Sequence, residues 1–223
     1  MLVRRLLHLV VAFAILAGGL TAGSVVLTAG AARATACGTP VPAGSSCTLT
    51  GTLTLSSGAL TLTSPSSLTW SATLTGTDQS VDDVVAGDQQ YTVDDATGSG
   101  AGWHVTTSAT TFTNGSHTLP DTGTFVTTGS VNSITATTAP TATCTGTCTL
   151  PTDSTTYPVG ITTAASSPSP VVIYDTASAT GLGQIVIGGS TQAHPVGWWV
   201  NVPASAIAGT YTSTITMTVI SGP

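Results

Sequence analysis

The residues able to do chemistry in this sequence are few and one-sided. All nine acidic residues are Asp, and the only cations are Arg4, Arg5 and Arg33. His104, His117 and His194 are the only histidines beyond the first 36 residues. General acid–base or nucleophilic catalysis needs such groups in matched pairs. The sequence has no G-x-S-x-G, no H-E-x-x-H and no paired Glu or Lys, and nothing local selects a Ser–His–Asp set from so many serines. The reading is therefore of a protein that is not an enzyme and uses no cofactor.

Six of the nine Asp, at 78, 82, 83, 88, 94 and 95, crowd into one stretch. Carboxylates without cationic partners repel, and a bridging Ca²⁺ would relieve them. Asp82, Asp83, Asp94 and Asp95 are weak candidates for that role. Their spacing fits no EF-hand loop, so a solvated acidic edge is the default and no metal site is expected. Asp94 precedes a Gly-rich turn that it is suited to cap. The four cysteines, Cys37, Cys47, Cys144 and Cys148, allow three pairings. In an exported chain the local pairs 37–47 and 144–148 are expected, and the spacing is poor for Zn.

Aromatic residues offer the other chemistry, stacking on a neutral ligand. Trp103 follows the glycine-rich run 98–102 and shares a strand face with Val105. It reads as a core residue, with a sugar-stacking role as the alternative. Trp70 reads as core by the same pattern. In Trp198-Trp199, Trp198 shares its parity with Val196, Val200 and Val202 and faces inward. Trp199 then points outward beside Asn201, whose amide suits a hydroxyl. Trp199 is the best glycan or partner contact, with a loop-covered Trp as the alternative.

These side chains must be placed by strands. Residues 1–36 read as a cleaved signal peptide: Arg4-Arg5, the apolar run Leu6–Leu16, then Ala34-Thr35-Ala36. Its removal takes all three cations and moves the formal charge from −6 to −9. Such a chain cannot replace the counterions of a phosphate backbone, which excludes nucleic acid. It has no attraction to anionic lipid, so no membrane association is expected after cleavage. In the remaining chain, helix periodicity is absent and period-two alternation recurs. It is clear in Cys47–Leu55, in Leu68–Thr75, and over Thr210–Val219, where Tyr211, Ser213, Ile215, Met217 and Val219 share one face and threonines the other. Further strands are expected near 91–93, 103–112, 124–128, 131–137, 171–175, 183–187 and 196–202. The expected fold is all-β, an antiparallel β-sandwich in a single domain over 37–223. Within it, 37–65 reads as an N-terminal extension that pairs with the main sheets. Residues 139–170 read as a long surface excursion. Leu119-Pro120-Asp121-Thr122-Gly123 matches a sortase pentapeptide, but neither an apolar span nor a basic cluster follows it, so it reads as a turn.

Three stretches together resemble the WxL domain of Gram-positive cell-surface proteins, in a divergent, actinobacterial-like version. They are Gly51-Thr-Leu-Thr-Leu with Leu68-Thr-Trp-Ser-Ala-Thr-Leu downstream, the run from Val93 to Val105, and Ala208 to Val219. The two W-x-L motifs map onto Trp103-His104-Val105 and Met217-Thr218-Val219, so three of the four motif positions are substituted. The resemblance implies non-covalent attachment to peptidoglycan or another wall polymer, with Trp103, Val105, Met217 and Val219 involved. The expected role is thus that of a secreted, cell-wall-associated surface protein. The alternative is a structural module that pairs its sheet edges with itself or another surface protein, because its Thr-rich strands lack the Lys residues that blunt such edges.

Overall fold

The computed structural model describes residues 35–36, 38 and 40–223. The chain divides into two compact units, Met1–Thr54 and Leu55–Pro223. Most of the proposed signal peptide and Cys37 lie outside the described residues. In the first unit, β1 (Thr35–Ala36) pairs in parallel with β2 (Cys47–Thr48). The strand expected from Cys47 to Leu55 stops at Thr48. Residues 49–59 join no ladder, and Leu49, Leu53 and Leu55 are 84%, 82% and 83% exposed.

The second unit is all-β and antiparallel in its ladders, as the alternation requires. Its strands are β3 (Leu60–Thr63), β4 (Gln79–Asp82), β5 (Gln90–Asp95), β6 (Trp103–Ala109), β7 (Thr113–Asn114), β8 (His117–Thr118), β9 (Phe125–Thr128), β10 (Ala142–Cys144), β11 (Val159–Ile161), β12 (Val171–Thr176), β13 (Gly183–Gly188), β14 (Gly197–Val202) and β15 (Ile215–Ser221). They form a first sheet β10-β13-β5-β3, a second sheet β11-β9-β14-β4, a third sheet β12-β6-β15, and the small hairpin β7-β8. Asn114-Gly115 makes that hairpin's turn, with Gly115 at φ 60.

Alternation decides which side chains enter the core. β5 buries Tyr91, Val93 and Asp95, and β13 buries Ile185 and Ile187. Along β15, Ile215, Met217 and Val219 are half-buried while Thr216 and Thr218 face solvent. Trp103 stacks on Tyr174 with ring centroids 5.9 Å apart, and Phe125 stacks on Trp198 at 5.9 Å. The second sheet differs, because all of β9 and the first four residues of β14 are buried, on both faces.

Three further stretches, all in the second unit, depart from the sequence expectation. Residues 139–170 are woven into the sandwich, contributing β10, β11 and buried Tyr157, Val159 and Ile161. Residues 131–137 form no strand. There Thr128 Oγ1 accepts from Ser130 N at 3.1 Å, Ser130 Oγ from Asn132 N at 3.1 Å, and Ser133 O from Ala136 N at 3.2 Å. Such local bonds take the backbone groups that a ladder would use. Leu68–Thr75 also joins no ladder, despite its alternation. The Asp83 carboxylate accepts from Thr69 N at 2.6 Å, and the Trp70 indole N–H donates to Trp198 O at 2.9 Å. Together with Gln79 Nε2, which donates to Thr73 O at 3.0 Å, these side-chain bonds and not a ladder hold the segment by β4, the edge strand of the second sheet. The Cys144–Cys148 disulfide is formed and staples a short loop.

Candidate functional site

The unpaired Leu68–Leu74 segment borders a groove of about 1040 Å³. On its other side run residues 206–213. Inward side chains complete it: Val81, Val200 and Val202 from the second sheet, Ile215 and Met217 from the third, with Phe112 and Leu119. Trp70 is half-buried there and meets Phe112 and Phe125 edge-on at 5.8 Å each. Tyr211 adds a half-buried ring whose hydroxyl donates to Ile207 O at 3.0 Å. No lining residue is charged. The volume matches that of the largest small-molecule pockets. Chemically, it can take up apolar side chains and hydrogen-bond a backbone or hydroxyls. Its lining holds no carboxylate, imidazole or amine.

The residues singled out in the sequence fall in different places. Trp103 is fully buried, and its indole N–H donates to Gly181 O at 2.8 Å. It presents no ring face to a ligand. Trp199 lies on the face opposite Trp198, as its parity requires, yet is only 7% exposed. Its indole N–H donates to Ser130 O at 2.9 Å. Gly197 lets this loop come so near, since a Cβ there would sit 1.8 Å from the Ser130 carbonyl oxygen. The loop-covered alternative is thus the geometry found. Asn201 has both amide ends engaged: Nδ2 donates to Gly123 O at 2.7 Å and Oδ1 accepts from Ser80 Oγ at 2.6 Å. Val105 and Val219 are direct cross-strand partners, and Met217 faces Thr107 in the same ladder. Of the six residues, only Met217 reaches the groove.

Asp78, Asp83 and Asp95 of the cluster accept from backbone amides. Asp83 is fully buried, and besides Thr69 it accepts from Val85 N at 2.9 Å. Asp95 accepts from Thr97 N at 3.0 Å and Thr97 Oγ1 at 2.6 Å, so it, and not Asp94, caps the glycine-rich turn. Burial, then repulsion from Asp83, raises the Asp88 carboxyl above its ordinary value. Asp82, Asp83, Asp94 and Asp95 form no ligand set. Among the described residues, no three His, Cys, Asp or Glu side chains converge as metal ligands.

Two polar features escaped the sequence reading. In the sortase-like pentapeptide, Leu119 is buried, and Asp121 Oδ1 accepts from Thr111 Oγ1 at 2.5 Å and Thr163 Oγ1 at 2.8 Å. These bonds, Thr111 first, hold the carboxyl below its ordinary range against a small opposing effect of burial. In the core, burial and then charge repulsion push the Tyr91, Tyr157 and Tyr174 phenols upward, so they stay neutral. Tyr157 Oη lies 2.7 Å from Ile173 O. Separation in sequence hid both: the Asp121 partners lie 10 and 42 residues away.

Fold and site together define an all-β sandwich with an uncharged groove beside an unpaired extended segment. Comparison with protein-family models, curated proteins and solved structures returned no match.

Proposed function

We propose that this chain is an exported, non-catalytic surface module that works by non-covalent docking, its groove receiving an extended, uncharged chain segment. The groove carries this reading: it has apolar side chains inside, no charge in its lining, and an unladdered backbone segment along its border. That combination suits strand addition, in which backbone bonds give affinity and pockets for alternate side chains give selectivity. Export is supported by the leader pattern and by the disulfide, which persists in oxidising compartments. A non-catalytic role is supported by the groove lining, which holds no carboxylate, imidazole or amine.

Tryptophan emission tests the reading, because Trp70 is half-buried at the groove and the other three Trp are buried. A ten-residue peptide alternating Thr and Leu shifts the emission to the blue, saturably and at high salt alike. The shift is lost in Trp70→Phe. No shift, or equal binding of a Lys-substituted peptide, contradicts the proposal.

One observation favours wall attachment as a second reading. The ladder sets the two W-x-L-like motifs on neighbouring strands, and Met217 of the second faces the groove. Peptidoglycan or another wall polymer would then be the ligand, through neutral contacts. Co-sedimentation with purified wall checks it, and retention that vanishes at modest salt contradicts it.

A further inference from the structure

We propose that the occupant of the groove is the Leu49–Leu55 segment of a second copy of this chain, docked as an extended strand. The inference rests on the groove reading above and names its partner.

The donor is visible in the same molecule. Leu49, Leu53 and Leu55 share one parity, with Gly51 between them and threonines on the other face. That is the pattern of a strand with one buried side, yet the segment joins no ladder and all three leucines are more than four-fifths exposed. Seven extended residues span roughly 23 Å. The acceptor has the opposite deficiency, an apolar groove beside a backbone without a strand partner. Within Leu68–Leu74, Thr69 N and Thr73 O are engaged by Asp83 and Gln79 side chains. The rest of that backbone is in no ladder. A docked strand would direct its leucines toward Trp70 and Met217 and its threonines outward.

Charge selects this contact over others between copies. From residue 37 onward the chain carries nine Asp and no cation, so two copies repel. No charged residue occurs between Gly38 and Thr77, and none lines the groove. Docking here joins the two neutral regions. Donor and acceptor are different surfaces, so copies either exchange segments reciprocally in a closed dimer or join head-to-tail in longer chains or rings.

Light scattering on the full chain tests this across a wide concentration range. The average mass rises above that of a monomer, to a dimer or beyond, and Leu53→Asp with Leu55→Asp abolishes the rise. A synthetic peptide of residues 48–57 shifts Trp70 emission in that double variant and disperses the wild-type assemblies. A wild-type monomer at every concentration, with the peptide still shifting the double variant, overturns the second-copy inference and leaves the groove reading intact. A monomer with no peptide shift overturns both. Association undiminished in the double variant assigns it to another surface and also overturns the inference.

Discussion

The two ends of β15 meet opposite fates. Toward its C-terminal end, Val219 pairs with Val105 and Ser221 with Trp103, over a core sealed by the Trp103–Tyr174 stack. Toward its N-terminal end, Ile215 and Met217 line an open groove. The alternation is the same along the strand. The difference lies in what covers it: the Trp103 end is sealed by the Trp103–Tyr174 stack, while the Met217 end faces open space bordered by the unladdered segment 68–74. Period two therefore specifies which residues face inward, and it does not specify whether anything is there to meet them.

The sharpest way to break this contrast is truncation at each end. Trp103→Ala removes a fully buried ring and is expected to cost about 3–5 kcal/mol. Met217→Ala, at a half-exposed site, is expected to cost on the order of 1 kcal/mol. Urea denaturation compares them, and equal losses would mean the groove is packed shut. Next in size is the anchor. Asp83→Ala leaves Thr69 N and Val85 N without their acceptor and is expected to cost about 1.5–3 kcal/mol. It also loosens residues 68–74, so Trp70 emission moves to the red. Stability loss without that shift would mean the segment holds its place by packing alone.

A smaller effect comes from acid. Asp121 has a folded pKa below its ordinary 3.8. Its stabilisation is therefore fully present above about pH 4 and is lost as pH falls through the lowered folded value. The melting temperature of Asp121→Asn should fall less over that acid range than that of the wild type. Identical acid profiles would remove Asp121 as a link between residues 111 and 163.

The sequence carried the sandwich itself, because inward and outward positions on β5, β6, β13, β14 and β15 follow directly from alternation. It misjudged 131–137 and Leu68–Thr75 for one reason. In both, side-chain bonds from or to Thr, Ser, Asp and Trp compete with the ladder, and their partners cannot be inferred from periodicity. Trp199 shows the same limit. Its outward direction was legible, but the Ser130 loop that covers it depends on Gly197 permitting a close approach. The groove was half legible: Met217, Tyr211 and Trp70 stood on the correct faces, and nothing local foretold that the space between them would stay open. The alternation of Leu49, Leu53 and Leu55 predicts a strand, and among the described residues that segment joins no ladder.

Hydrogen exchange at two protein concentrations tests the central claim most directly, because it watches donor and acceptor at once. The account predicts that amides in residues 49–55 and in residues 70–74 exchange freely when dilute and gain protection together when concentrated, while β6 stays protected throughout. Free exchange of both segments at every concentration would contradict it, as would protection of one without the other.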